Sequence, residues 1–390
     1  LHKAIRRQRQ MCIRDSVIAA AVYGFVSGCD AEESFRAFFR SDYLNFHRIT
    51  SYERSFEMNN IIRPKICPSI IGHAAAVGKK EHEGPLGNLF DYHDASDRFG
   101  QKTWEQSEGE MQHIALNLAL SKSKMPADSL GALFAGDLIN QCTSSSYGLL
   151  DINVPFFGLY GACSTSAEGL ILATLWLNST GNGSAAVVTS SHNCSAERQF
   201  RFPVEYGGIR TPTSQWTVTG AAAFILGEGH GAYITELLPG ISVDRGITDP
   251  NNMGAAMAPA AVDTLTRYFR GSGMKPGDFD AIFTGDLGFE GHSIVNEMMC
   301  AAGINISDNY RDCGLIIYDR EGQDMHAGGS GCGCSASVLS AYILPKLESG
   351  EYHDILFVAT GALMSPMLVL QGQSIPGIAH LVRITKERNL

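Results

Sequence analysis

The sequence predicts an α/β fold built from two duplicated β-α-β-type halves that are related by pseudo-two-fold symmetry. The first observation behind this prediction is an alternation of patterns. Met111, Ile114 and Leu118 recur at helical spacing, and the apolar segment 132–138 that follows has the length of a buried strand. Such alternation favours internal strands covered by helices. The second observation is an internal repeat.

Three short segments occur twice along the chain in the same order. The pairs are LFAGDL at 133–138 with IFTGDL at 282–287, CSTS at 163–166 with CSAS at 334–337, and AVVT at 186–189 with FVAT at 357–360. The first pair is separated by 149 residues and the other two by 171. Because the matches keep their order and two share one offset, they indicate two copies of one unit. The alternative is chance, since small residues and Gly-Asp pairs recur in many α/β proteins.

We assign residues 58–230 to the first half, residues 231–390 to the second, and residues 1–57 to an extension of open status. Basic residues precede an apolar run at 17–26, which is too short to span a bilayer as a helix. The segment VSGC at 26–29 resembles a lipoprotein cleavage site, so one alternative is an exported lipoprotein with a signal in residues 1–29. The other is an upstream start or a cloning junction, because an ordinary globular pattern begins at Met58.

The composition excludes several classes of protein. With 390 residues, of which 44% are hydrophobic, the chain can bury a large core. A formal charge of −10 and the lack of a basic run interleaved with aromatic residues argue against nucleic acid as a partner. The ten cysteines read as mostly free thiols of a reducing compartment. No calcium loop, zinc ligand set or close match to a dinucleotide loop is present, so we predict no metal and no cofactor.

Cys163 is the first candidate site residue. It lies among small residues where a strand-like segment leads into a helix, and a helix amino terminus lowers a thiol pKa and binds anions. The alternative is a buried structural cysteine. The repeat places a second glycine-rich helix start, at 328–335, in the equivalent position. Two such helix starts facing one crevice predict a pocket.

The chain also resembles a known family, over residues 84 to 380. The resemblance rests on motifs such as EGPLGNLFD at 83–91, AGDLINQ at 135–141, YGACSTS at 160–166, TSSHNCSAERQFRFPVEYGG at 189–208, TVTGAAA at 217–223, DRGITDPNNMGAAMAPAAVDT at 244–264 and AGGSGCGCSA at 327–336. These resemble the SpoVAD (stage V sporulation protein AD) family of the thiolase-like superfamily. The resemblance implies a thiolase-like fold, dipicolinic acid as ligand, and work with membrane proteins of one spore transport system in the uptake of calcium dipicolinate. It also implies a cytoplasmic location, or a peripheral one on the inner membrane of the forespore.

Thiolases and ketoacyl synthases provide expected roles for individual positions. The acyl-accepting nucleophile falls on Cys163, the histidine ahead of the glycine-rich helix start falls on Ser330, and the His or Asn of the second copy falls on or near Asp286. The chain therefore keeps the thiol and lacks the matching bases, and an aspartate beside a thiol raises its pKa. This favours binding over catalysis. The alternative is a Cys-dependent acyl-transfer or condensing enzyme, in which His192 or His326 serves as a rearranged base.

Dipicolinate is a planar dianion at neutral pH, so its pocket needs positive charge or N–H donors and an apolar face. Arg198 and Arg201 are the densest guanidinium pair near the expected site; alternatively, they are solvated or paired with Glu197 and Glu205. The predicted ligand-binding residues are Cys163, Asp286, Ser330, His192, Arg198 and Arg201. Because thiolase-like folds commonly pair through strands beside the site, we also expect a homodimer, with the segment 185–190 at its interface.

Overall fold

A computed structural model of the chain describes residues 60–181, 183–200 and 210–388, and the residues from Asn60 onward form one compact unit. The predicted extension 1–57, including the candidate signal in residues 1–29, lies outside the described residues, as does Arg201. Among the described residues, none of the helices combines the length and the apolar character that a membrane crossing requires.

The described residues form thirteen strands, eleven of them in one sheet. The strands are β1 (Ser69–Val77), β2 (Tyr92–His93), β3 (Ala132–Gly136), β4 (Phe156–Leu159), β5 (Ala185–Ser191), β6 (Trp216–Thr217), β7 (Gly220–Gly227), β8 (Ala232–Leu238), β9 (Ala281–Thr284), β10 (Tyr310–Asp312), β11 (Gly329–Ser330), β12 (Asp354–Ala362) and β13 (Gly377–Thr385). The two remaining strands, β6 and β11, pair in parallel with each other.

The helices in the same residues vary from one turn to twenty residues in length. They are α1 (Lys79–His82), α2 (Trp104–Ser123), α3 (Thr143–Gly148), α4 (Thr165–Thr180), α5 (Asn193–Phe200), α6 (Met253–Ser272), α7 (Gly288–Ala301), α8 (Cys313–Ile316), α9 (Cys332–Val338), α10 (Leu344–Ser349) and α11 (Pro366–Leu370). A π-helical segment, Leu339–Ile343, joins α9 to α10.

The strand order confirms the duplicated fold. Across the sheet the strands lie in the order β10-β9-β12-β13-β8-β1-β7-β5-β3-β4. Apart from β2, each half contributes five strands to this sheet. From the middle outward they are β1, β7, β5, β3 and β4 in the first half, and β8, β13, β12, β9 and β10 in the second. In both halves these are the first, fifth, fourth, second and third of the five strands along the chain. The strands of the first repeat, β3 and β9, occupy equivalent places, and each pairs in parallel with both of its neighbours. The boundary at 230 and 231 falls between β7 and β8 and stays a prediction.

The two long helices have the ends that their sequences favour. Helix α2 begins after Thr103, whose hydroxyl accepts a hydrogen bond from the Gln106 N–H, and Met111 is fully buried on its inner face. Helix α6 begins after Asn252, whose side chain accepts from the Ala255 N–H, and ends at Gly273 in the left-handed conformation. Both helices contribute to the cores on which the sheet rests.

A side-chain hydrogen bond joins the two repeated helix starts, and strand β12 packs against the turn before one of them. The hydroxyls of Ser166 in α4 and Ser335 in α9 lie 2.9 Å apart. Strand β12 approaches the turn before α4 so closely that a Cβ on Gly361 would lie 2.4 Å from the Gly161 carbonyl oxygen and 3.3 Å from the Cys163 nitrogen. A side chain at position 361 would clash with this turn, so glycine is required there. Its absence of a side chain lets the end of β12 lie against the backbone of Cys163.

One expectation about the sheet is wrong. The segment 185–190 belongs to β5, which is paired on one side with β3 and on the other with β7. A strand with both edges occupied cannot pair with a second chain. Its seven residues are all buried, as is typical of a central strand. The outermost strands of the sheet are β4 and β10.

Candidate functional site

A cavity lies beside the two helix starts, and both halves contribute to it. Its lining is mostly apolar, with a few convergent polar groups, as ligand pockets usually are. The lining residues are Leu138, Tyr160, Ala162, Cys163, Ala196, Glu197, Phe200, Gln215, Thr217, Pro250, Asn251, Met253, Ser330, Ala362 and Met364. Two of the predicted site residues, Cys163 and Ser330, are thus brought together.

Cys163 sits in a tight turn, Ala162–Ser164, that leads directly into α4. Ala162 has a φ of 51°, a left-handed conformation that costs a non-glycine residue energy and is often found at functional sites. The turn is fixed by the Ser164 hydroxyl, which donates to the Gly161 carbonyl at 2.6 Å, and by the Thr165 hydroxyl, which donates to the Ala162 carbonyl at 2.7 Å. The backbone that carries the thiol is therefore held in one conformation.

The thiol of Cys163 is not activated by its surroundings. Burial raises its pKa well above the ordinary value, and the neighbouring carboxylate of Asp286, with which the thiol shares a hydrogen bond, raises it further. The Gly331 N–H and Ser330 act in the opposite direction but more weakly. The pKa lowering expected from a helix start is thus outweighed by desolvation and by a like charge.

Asp286, the position that follows β9, lies directly behind the cavity wall and is fully buried. Its carboxylate accepts hydrogen bonds from the Gly331 N–H at 2.7 Å, the Thr360 hydroxyl at 3.0 Å and the Ser330 hydroxyl at 3.3 Å. Burial raises the pKa of Asp286 to about 6, although these donors and Cys163 lower it. The carboxyl group of Asp286 therefore changes its protonation state near neutral pH.

The histidines that sequence reasoning considered do not line this cavity. His192 is buried, and its Nδ1 accepts the Cys194 N–H at 3.2 Å, so Nε2 donates to the Asp97 carbonyl at 2.8 Å. Burial lowers its pKa. His326 lies 2.7 Å from the Thr211 carbonyl through Nδ1. Neither ring nor any other histidine is among the lining residues in the described part of the chain.

Arg198 is on the helix that borders the cavity, but on a different face. Helix α5 contributes Ala196, Glu197 and Phe200 to the lining, whereas Arg198 pairs with Glu105 of α2 and keeps 57% of its side chain exposed. Among the described lining residues there is no lysine or arginine, and Glu197 adds negative charge. The described residues also hold no cluster of three or more metal-ligating side chains.

Several lining residues were missed by sequence reasoning. The amide of Gln215 donates to the backbone carbonyls of Asp286 at 2.6 Å and Gly329 at 2.8 Å, and so ties β6 to the floor of the cavity. Thr217 and Asn251 add polar groups, and Met364 closes one side. Thr217 and Asn251 lie within the motifs TVTGAAA and DRGITDPNNMGAAMAPAAVDT, which was the available signal.

Comparisons with known proteins agree with this geometry. A family model described as "Stage V sporulation protein AD (SpoVAD)" matches residues 60–385. Stage V sporulation protein AD of Bacillus subtilis (strain 168) is 42% identical over 306 residues, which cover 78% of this chain and 90% of that protein. A variant of OleA from Xanthomonas campestris superposes with a TM-score of 0.54 at 14% identity, covering 83% of this chain and 100% of that one. Cerulenin-bound OleA gives a TM-score of 0.53 at 15% identity, with 82% and 97% coverage. The structural likeness shows a thiolase-like fold.

Proposed function

The chain belongs to the stage V sporulation protein AD family, and we propose on that premise that it binds dipicolinic acid and takes part in the uptake of calcium dipicolinate into the developing spore. The observation that carries the proposal is a cavity that keeps the cysteine of the thiolase-like fold and is lined beside it by Ser330, with Asp286 buried behind the wall. A pocket of this kind can hold a ligand, but none of its described lining residues supplies the imidazole that would activate the thiol.

The lining suits a small aromatic dicarboxylate. Tyr160 and Phe200 offer aromatic surface, and Asn251 and Thr217 offer polar groups for the carboxylates and the ring nitrogen. The two negative charges of the ligand are the main energetic cost of binding, because a dianion needs compensating positive charge in a desolvated site. A bound calcium ion would supply that compensation in the chelate. Arg201, outside the described residues, is the other candidate from the sequence.

Isothermal titration calorimetry on the full chain tests the proposal. We expect saturable one-to-one binding of dipicolinate, and the titration is run with added calcium and again with a chelator. Benzene-1,3-dicarboxylate, which keeps the carboxylate spacing and lacks the ring nitrogen, is the matched control ligand and should bind more weakly. Absence of heat with dipicolinate in both conditions would contradict the proposal.

An acyl-transfer activity is the second candidate. It is favoured by one observation, the strained turn that presents Cys163 at the start of α4. Incubation with an acyl-CoA followed by intact-mass spectrometry separates the two functions. The binding proposal predicts an unmodified mass, and an acyl increment located on Cys163 would establish the enzyme.

We also propose that the protein forms a homodimer and acts with membrane proteins of the same spore transport system, on the inner membrane of the forespore. Strand β4 supports the homodimer, since it is an outermost strand and Phe156 and Phe157 on it are each 40% exposed. Tyr160, directly after β4, is 42% exposed and borders the cavity. A dimer through β4 would therefore place the second chain beside the ligand. Membrane fractionation of sporulating cells with and without the partner proteins tests the location.

A further inference from the structure

Two hydrogen-bond donors of the cavity are directed to a group behind its wall. The hydroxyl of Ser330 donates to the Asp286 carboxylate at 3.3 Å, and the thiol of Cys163 shares a hydrogen bond with the same carboxylate. Asp286 itself is fully buried and so does not touch a ligand. As long as it is ionised, it holds both donors that a carboxylate ligand would need at this end of the cavity.

We propose that Asp286 takes up one proton from solvent when a dicarboxylate ligand enters the cavity, and that this uptake releases Ser330 and Cys163 to donate to the ligand. The inference rests on the proposed function, because it concerns the binding of dipicolinate. Only an O–H bond forms in the step, and the proton comes from the buffer. Asp286 is thus a positioning residue that acts through its two neighbours.

The electrostatic surroundings of Asp286 favour this step. The titratable groups that face it are Cys163 before α4, Asp312 on β10, Cys313 in α8, and Cys332 and Cys334 in α9. Asp312 is the carboxyl group among them, burial holds the pKa of each of the four thiols well above its ordinary value so that they are neutral at pH 7, and none of these described groups is a cation. A ligand carboxylate arriving beside Ser330 adds a further negative charge in a buried region, and like charges raise a carboxyl pKa.

The starting point is suitable for a measurable uptake. With the pKa of Asp286 at about 6, the group is mostly ionised at pH 7 but can be protonated at low cost. Full protonation on binding would take up about 0.9 proton per ligand at pH 7. If the ligand binds only the protonated form, the affinity should fall about 50-fold between pH 6 and pH 8.

The test is calorimetry with dipicolinate and a calcium chelator at pH 7, in phosphate and in Tris, whose ionisation enthalpies differ. The dependence of the observed heat on the buffer gives the number of protons taken up. We expect a value near one. If the observed binding heat, after subtraction of the heat of dilution, is the same in both buffers, the inference is overturned and the proposed function stays intact. Absence of binding in both buffers, and again with added calcium, would overturn both.

Two variants locate the proton. Asp286→Asn should remove the buffer dependence and flatten the pH profile of whatever affinity remains. Asp137→Asn changes the aspartate at the equivalent position of the first half and should keep the proton uptake. A melting temperature for each variant reports on folding, and the wild-type titration stands if either fails to fold. Proton uptake that persists in Asp286→Asn would contradict the assignment.

Discussion

The two aspartates that follow equivalent strands, Asp137 after β3 and Asp286 after β9, differ in where their partners come from. Asp137 accepts the Ser145 hydroxyl at 2.6 Å and the N–H groups of Ile139 and Ser145 at 2.8 Å, all within eight residues of the chain. Asp286 instead accepts from Ser330, Gly331 and Thr360, more than forty residues away. One carboxylate stabilises its own loop, and the other joins the elements that border the cavity.

Duplication thus determines where a residue lies in each half but not which groups it binds. Asp137 shares its interior with Glu108, whose pKa burial and Asp137 raise to about 8, and Glu108 accepts the hydroxyls of Ser190 and Ser195. None of these four side chains is among the described residues that line the cavity. Asp286 contacts two lining residues, Cys163 and Ser330, and is therefore the member of the pair on which we propose that binding depends.

The largest expected effect comes from filling the cavity on the Asp286 side. Cys163→Trp should abolish dipicolinate binding, a loss of more than about 100-fold, because the indole occupies the space of the ligand. Calorimetry measures the loss, and far-ultraviolet circular dichroism checks that the fold persists. Cys300→Trp, at an exposed cysteine of α7, is the matched control. Wild-type affinity in Cys163→Trp would place the ligand elsewhere.

A second test compares the equivalent outer strands of the two halves. Strand β4 exposes Phe156 and Phe157, whereas β10 exposes only Arg311. Phe156→Asp should convert the proposed homodimer to a monomer at micromolar concentration, because a charge on an edge strand opposes pairing. Arg311→Asp should leave the dimer intact. Light scattering distinguishes the two, and a wild-type monomer would refute the homodimer.

On the Asp137 side, the expected effect is on stability. The pKa of Glu108 is raised in the folded state, so its stabilising contribution is present below the unfolded pKa of 4.5 and is lost as pH rises toward 8. Glu108→Gln should therefore gain stability relative to wild type between pH 5 and pH 8, on the order of a few kcal/mol. Urea denaturation at both pH values measures it. If the free energy of unfolding changed by the same amount between the two pH values in both proteins, the raised pKa of Glu108 would be contradicted.

The smallest effect is expected for Cys163→Ser. Serine keeps a small donor at the start of α4, so the binding free energy should change by less than about 1.5 kcal/mol, the scale of one neutral hydrogen bond. Calorimetry compares this variant with wild type under the same conditions. A complete loss of binding in Cys163→Ser would contradict the expectation that a small hydrogen-bond donor is sufficient at this position.

Much of the fold and part of the site could be predicted from the sequence. The repeat placed β3 and β9 correctly, because parallel strands with the same flanking motif occupy equivalent places in the two halves. The expectation that Asp286 and Ser330 lie beside Cys163 came from the resemblance to thiolases, whose catalytic positions these residues match. In contrast, the expectation that 185–190 forms an interface ignored a run of small apolar residues, which is the pattern of a strand paired on both sides.

The predicted site residues that do not line the cavity differ in which way their side chains face. Arg198 is one residue from Glu197, but the two point to different sides of α5, and only docking of that helix decides which side meets the cavity. His192 is occupied by backbone groups, the Cys194 N–H and the Asp97 carbonyl, of which the second is far away in sequence. No local pattern reveals a partner of that kind.

A crystal structure of the full chain with dipicolinate decides whether this cavity is the binding site. We expect one ligand in the cavity, bordered by Cys163, Ser330 and Asn251, with no covalent bond to sulfur and no ligand near Asp137. Density at another place on the molecule, or an adduct on Cys163, would contradict this expectation.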